Sequence, residues 1–347
     1  MRASILVNGL VCVNTVWCAT LEVGSGKTYA TIADALAKAA EGDTISLAAG
    51  TYKEKLTIAK NNITMKGPTF PSLDPAGNKA TITAATYSKD VKGNDGSVTG
   101  SRFSLYNINI ANTAGNDSQA VTLAIKGSQN AFYASNILGY QDTLYAHEGS
   151  SFYGSCYVEG AVDFVFGISG QAWLQGCKIA VLKPKGTITA QGRTSADSTG
   201  YIVLDKAKIV TGPSAAPNTK GKNFLGRPYG DFSRTVFQNS DLGGVIVSEG
   251  WERQSFLSIP RHLTTVLLVA VFFRLDFADG VLLSTAFSPG QNTRQVLAAE
   301  FNNANANNGN GTRVSFASKA SKAVDIGEIL PDHQKWVNPK FLGVSAP

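Results

Sequence analysis

Asp142 and Asp163 lie 21 residues apart, and Cys156 and Cys177 lie 21 residues apart in the same stretch. The aspartates occupy Gly139-Tyr140-Gln141-Asp142-Thr143-Leu144-Tyr145 and Gly160-Ala161-Val162-Asp163-Phe164-Val165-Phe166-Gly167, so each carboxylate falls on a short strand-like run bounded by glycine. Both spacings fit one coil of a β-solenoid. Stacked in register, adjacent coils bring the two carboxylates to roughly 5 Å, the ordinary distance between strands. Two carboxylates that close do not ionise independently: one is pushed towards the acid form and the other stays anionic. One residue type then supplies both an acid and a nucleophile. Gln119, 23 residues before Asp142, falls about one coil away, and Gln141 is the immediate neighbour of Asp142. Their amides are neutral donors, suited to holding the oxyanion that forms when an ester carbonyl is attacked. Arg227, in Leu225-Gly226-Arg227-Pro228-Tyr229, is the candidate cation to keep an attacking carboxylate ionised by charge pairing. Any one of these residues alone reads more simply as a hydrogen-bonding residue of a solenoid turn. Together they point to acyl chemistry.

The elements that must position them are short strands between turns. Residues 44–47, 55–58 and 63–65 begin the series, and 103–110, 131–138, 151–158, 172–179, 201–209 and 235–242 each alternate apolar residues and close on an aliphatic one. From Ile110 through Leu138, Val158, Ile179 and Ile209 to Leu242 the intervals are 28, 20, 21, 30 and 33 residues. Such an irregular period suits a parallel β-helix with loops of variable length on one side. A sandwich or an up-and-down barrel would turn more often and more regularly. Ile32, Ala35, Leu36 and Ala39 have the spacing of an amphipathic helix over 31–40, placed to cap one end. In a stacked solenoid Cys156 and Cys177 come within disulfide range, the alternative being two free buried thiols.

Composition agrees with an all-β chain. Thirty-five glycines, only two methionines and 43% hydrophobic residues suit strands and turns more than a helical bundle, and one domain over 20–347 is expected. A formal charge of +6 suits an acidic polymer as partner or is simply a soluble surface. No basic block or zinc-type Cys/His spacing marks a nucleic-acid module, so nucleic acid is set aside. Residues 1–19 carry one positive charge and a short apolar stretch, which reads as a signal peptide interrupted by Asn8 and Asn14. Its removal takes Cys12 and Cys18 away and leaves an even pair in an oxidising compartment. Sequons at Asn62, Asn116 and Asn310 are consistent with secretion.

Four motifs in order resemble the pectin methylesterase family: Gln119-Ala120-Val121, Gly139 to Leu144, the Gly160 to Gly167 box, and Leu225-Gly226-Arg227-Pro228-Tyr229. The resemblance runs from about Val23 to Trp251 and resumes near Ser288. It implies a right-handed parallel β-helix acting on the C6 methyl esters of galacturonan, that is, pectin, with methanol and de-esterified pectin as products. It also implies a secreted, extracellular monomer that needs no metal or organic cofactor. Carried over to these positions, Asp163 is the nucleophile that forms an acyl-enzyme, and Asp142 is the acid and then the base. Gln119 and Gln141 bind the oxyanion, and Arg227 holds Asp163. Tyr145, Phe164, Tyr229 and Trp251 line the sugar groove.

Two features depart from the family pattern. Tyr229 stands where tryptophan is usual, and residues 252–287 read as a family-foreign insertion, or as translated intron sequence. The apolar run at 263–273 is about 11 residues, well short of the roughly 20 that span a bilayer, so no membrane helix is expected. Two other readings remain. A β-helical glycosidase also wants carboxyls about 5 to 5.5 Å apart, but the paired amides favour an acyl oxyanion, and a lyase would want a calcium-binding acidic cluster that is not evident. A binding-only solenoid would need the aromatic groove without both aspartates.

Overall fold

The computed structural model describes residues 18–90, 96–253, 295–306 and 312–347. The expected signal peptide at 1–19 and insertion at 252–287 lie outside the described residues, apart from residues 18, 19, 252 and 253. Over these described residues the chain winds through three parallel sheets. The longest has eleven strands, from Thr20–Val23 to Ala317–Lys319, and two others have seven each, from Thr57–Ile58 to Phe224–Pro228 and from Gly50–Tyr52 to Lys208–Thr211. In the regular part each coil adds one strand to every sheet, paired in parallel with the equivalent strand of the coil before. This is the expected parallel β-helix.

The core follows from that register. On the long sheet Ile45, Met65, Leu105, Phe132, Tyr153, Leu174, Leu204 and Phe237 lie opposite one another coil after coil, and all are buried. Phe132 and Tyr153 stack with ring centroids 5.1 Å apart. Each fully buried large side chain contributes roughly 1.5–3 kcal/mol, and in-register stacking repeats that gain at every coil. The helix Ile32–Lys38 buries Ile32 and Ala35 and is capped by Thr31, whose hydroxyl accepts from the Asp34 N–H. It lies against Thr20–Val23 and Thr44–Leu47, the first two strands of the long sheet. No helix among the described residues is long and apolar enough to cross a membrane.

Five of the expected strands are each two elements, and the sixth, 235–242, is one strand, Arg234–Gln238, followed past its corner by a single bridge at Asp241. The run 103–110 divides into Ser104–Tyr106 and Asn109–Asn112, and 151–158 into Ser150–Gly154 and Tyr157–Gly160, belonging to different sheets. The break falls each time on one residue in the left-handed region: Asn107, Ala134, Ser155, Gly176, Lys206 and Asn239, with φ between 43° and 60°. These residues stack, the N–H of each donating to the carbonyl just ahead of the next corner, as from Ala134 to Gly154 and from Ser155 to Gln175, both at 2.9 Å. A single left-handed residue turns the chain between sheets without interrupting the apolar alternation, so the corner is silent in the pattern.

The expected disulfide is absent. Cys156 and Cys177 are on adjacent coils in register, but both are free and buried. Their thiols aim at the carbonyls of Phe132 and Tyr153, at 3.4 and 3.3 Å. In-register neighbours in parallel strands hold their Cβ vectors parallel at the strand spacing of about 4.8 Å, beyond the roughly 3.5–4.5 Å that a disulfide wants. Burial pushes the Cys177 thiol up, and the contact with Cys156 adds to it.

Candidate active site

Asp142 and Asp163 stand at equivalent places on adjacent coils: Gln141 is bridged to Val162, and the Asp142 N–H donates to the Val162 carbonyl at 3.1 Å. Asp142 leads into the strand Leu144–Ala146 and Asp163 is the second residue of Val162–Gly167, its neighbour in the same sheet. Both aspartates are left-handed, with φ of 62° and 50°, a conformation that costs a non-glycine residue about 1–2 kcal/mol. At Asp163 the strand also bulges: Val162 pairs with Thr187 and Val165 with Thr189, so the Asp163 strand holds one residue more than its partner. Left-handed backbone and bulges both recur beside reactive groups, because they aim a side chain out of the ladder. The two carboxylates are 7% and 6% exposed and belong to the floor of the site.

Asp163 is held by two neighbouring coils. Arg227 donates from Nε to Oδ1 and Oδ2 at 3.0 and 3.1 Å and from Nη2 to Oδ2 at 2.6 Å, a bidentate ion pair. The Thr187 hydroxyl donates to Oδ1 at 2.5 Å and accepts from the Asp163 N–H at 3.1 Å. Burial alone would lower the Arg227 guanidinium; its hydrogen bonds and charge contact with Asp163 outweigh that, and the net shift is upward. Tyr229 lies over the same cluster, with the Arg227 guanidinium 5.5 Å from its ring centre. Burial raises the Tyr229 phenol, Arg227 opposes this, and Asp142 and Asp163 reinforce it, so the hydroxyl senses both carboxylates. Gly192 makes room for that ring, since a Cβ there would come within 2.5 Å of it.

Gln141 directly precedes Asp142 on its own coil, and Gln119 comes from the adjacent one. The Ala120 N–H donates to the Gln141 carbonyl at 3.1 Å, which places Gln119 beside the Gln141 coil, and Gln119 is exposed. Along the strands Tyr145 is level with Phe166, and their rings stack 4.2 Å apart at 6°. His147, two residues beyond Tyr145, meets it edge-on at 4.8 Å, and burial pushes its imidazole down. Two of the expected groove residues are elsewhere. Phe164 is fully buried in the core against Gly160, where any Cβ would strike it. Trp251 is 2% exposed, set edge-on to Phe237, with its indole N–H donating to Glu300 at 3.3 Å. Neither offers a ring face to a sugar; the bulge at Asp163 turns Phe164 inward and leaves Phe166 outside.

Three site residues escape the sequence reading. Thr187 follows Asp163 by 24 residues, a coil lengthened by its loop, so its spacing gave no signal. Phe166 was visible in Phe164-Val165-Phe166, but only the bulge tells which phenylalanine is outside. Glu252, which reads as the start of the insertion, is half-buried, with its N–H donating to the Gly226 carbonyl at 2.9 Å. Burial raises its carboxyl, Arg227 lowers it and Asp163 raises it, which puts it beside the ion pair.

A pectinesterase family model matches residues 19–260. "Probable pectinesterase A" of Aspergillus fumigatus is 39% identical over 250 residues, covering 70% of this chain and 76% of the relative. The pectinesterase of Aspergillus aculeatus is 33% identical over 337 residues, 92% of this chain and 90% of its own. The crystal structure of the Aspergillus niger pectin methylesterase superposes with a TM-score of 0.76 at 30% identity, covering 93% of this chain and 97% of that one. The matched span contains every coil that builds the carboxylate pair, the arginine clamp and the aromatic ledge, and the chain therefore belongs to the pectinesterase family.

Proposed function

We propose that this pectinesterase works through an aspartyl acyl-enzyme in which Asp163 is the nucleophile and Asp142 the acid and base. As a family member the protein is an ester hydrolase that removes methyl esters from pectin. The observation that carries the mechanism is the bidentate Arg227–Asp163 pair, which presents a fixed carboxylate one coil away from a second one. An Asp163 oxygen attacks the ester carbonyl carbon, and the carbonyl π pair moves onto oxygen, where the amides of Gln119 and Gln141 donate to it. Collapse of that oxyanion breaks the C–O bond to methanol, whose oxygen takes its proton from Asp142. Asp142 then removes a proton from water, the hydroxide attacks the acyl carbon, and cleavage releases Asp163 and the free uronate. Tyr145 and Phe166 offer stacked rings to the sugar, and Tyr229 closes over the carboxylates. The support for secretion is the apolar N-terminal stretch with its single positive charge, together with a polymer substrate found outside cells.

Methanol release from highly methylated pectin tests this reading, with polymer length followed in parallel. Wild type should release methanol without shortening the chain, and Asp163→Ala should lose at least a thousandfold in kcat while remaining folded by circular dichroism. Methanol at the wild-type rate from the variant would end the nucleophile assignment, and chain shortening by wild type would favour a glycosidase.

A further inference from the structure

Four lysines, Lys183, Lys185, Lys220 and Lys222, gather on the two loops that lead into strands Thr187–Gln191 and Phe224–Pro228. These are the strands that carry Thr187 and Arg227. The loops are tied together: the Lys185 N–H donates to the Lys222 carbonyl at 2.8 Å and the Phe224 N–H to the Gly186 carbonyl at 2.9 Å. The fully buried Asn223 clamps both, accepting from the Gly186 N–H at 3.1 Å and donating to the Thr219 carbonyl at 2.6 Å. Lys185, Lys220 and Lys222 are exposed and Lys183 is half-buried. None of the four has a carboxylate within ion-pair distance among the described residues. Lys185 precedes Thr187 by two residues, roughly 7 Å along the strand, so the patch begins where the carboxylate cluster ends. Lys183 also acts on Glu252, lowering its carboxyl against burial.

Like charges held on tied loops without counter-charges repel one another, and an external polyanion relieves that repulsion. Each turnover makes such an anion, because every ester removed leaves a carboxylate on the polymer next to the site. We propose that this lysine patch is a binding surface for de-esterified galacturonan, so that the enzyme works beside stretches it has already cleared. The inference rests on the esterase reading and adds to it where on the polymer the site acts. Fully methylated pectin offers the patch nothing; a partly de-esterified chain binds through it and brings the adjoining esters to Asp163. Free carboxyls then accumulate in runs.

The test compares wild type with the triple variant Lys185→Gln, Lys220→Gln, Lys222→Gln, none of which touches the carboxylates. Methanol release is followed on fully methylated and on partly de-esterified pectin, at low and high salt, and retention is measured on immobilised polygalacturonate. For wild type, KM per ester on the partly de-esterified polymer should be lower by about tenfold at low salt, since three exposed charge pairs contribute a factor of roughly two each, and high salt should erase the difference. The variant should show no preference, weaker retention and an unchanged kcat on the fully methylated polymer. A variant that keeps the wild-type preference, or a wild type that shows none at low salt, overturns the proposal. Absence of methanol from both proteins would instead overturn the esterase reading, and retention on polygalacturonate would still decide whether the patch binds a polyuronate.

Discussion

Thr187 and Glu252 mark what single side chains contribute to the cluster. The Thr187 hydroxyl bonds Asp163 on its carboxylate and on its N–H, so it holds both the rotamer and the left-handed backbone. Hydrogen bonds to charged groups are worth roughly 1.5–3 kcal/mol. Thr187→Val should therefore lower kcat about ten- to a hundredfold with little change in KM, and Thr187→Ser should recover most of it; an unchanged kcat in the valine variant would leave Arg227 as the sole positioning group. Glu252 sets a pH dependence. Its carboxyl is raised chiefly by burial, so the folded protein holds that proton more tightly than the unfolded chain does. Its contribution to stability is complete below the ordinary carboxylate value of about 4.3 and is lost as pH rises through the folded value. Glu252→Gln is uncharged at every pH, so its Tm should gain on wild type by a few degrees at most between about pH 4 and pH 7. Melting curves at the two pH values check this, and a gap independent of pH would show that Glu252 does not titrate in that window.

At the scale of elements, the corners between sheets decide how far a coil can be read. The 21-residue spacing of Asp142 and Asp163, and of the two cysteines, was legible because those coils carry no long loop. The next coil, from Val162 to Thr187, holds an extra bulged residue and the Lys183–Gly186 loop, and there spacing no longer named the partner. The corner residues were illegible for another reason: asparagine, alanine, serine, glycine and lysine all occupy them, so no residue type marks the turn. Glycine at one corner has a consequence. Gly176 has φ of 57°, and a Cβ there would come within 2.7 Å of the Val344 carbonyl oxygen. Gly176→Ala should destabilise the protein by about 2 kcal/mol, of which roughly 1–2 is the left-handed backbone. Urea unfolding measures it, and a loss below about 0.5 kcal/mol would mean that the C-terminal segment yields freely.

The whole molecule adds a second core, formed when the C-terminal segment returns to the outer face of the long sheet. Tyr133, Phe152, Trp173, Tyr201 and Val236 on that face are buried beneath Ile329, Leu330, Val337 and Phe341. Side-chain amides fasten the segment: Gln175 Nε2 donates to the Val344 carbonyl at 2.9 Å, and Gln238 both donates to the Val324 carbonyl and accepts from its N–H, at 3.0 and 2.9 Å. Phe341 lies 4.6 Å from the Tyr133 ring. Phe341→Ala should cost about 3–5 kcal/mol and expose an aromatic face prone to association. Calorimetry together with light scattering would show it, and a Tm within two or three degrees of wild type would assign the segment a lesser part.

What the sequence determined by itself was the solenoid, the pairing of Asp142 with Asp163, and Arg227 as the cation for Asp163. The first two rest on apolar alternation and on the 21-residue spacing of one short coil, local properties of a chain whose strands stack in register, and Arg227 rests on the Leu225–Tyr229 motif. Only the tertiary structure decided that Phe166 rather than Phe164 lies outside against Tyr145, that Thr187 and Glu252 border the carboxylate cluster, that Trp251 belongs to the core, and that the two thiols stay free. Each of those depends on a bulge, a loop length or a Cβ direction. Such features change which way a side chain points without changing the pattern of residue types along the chain.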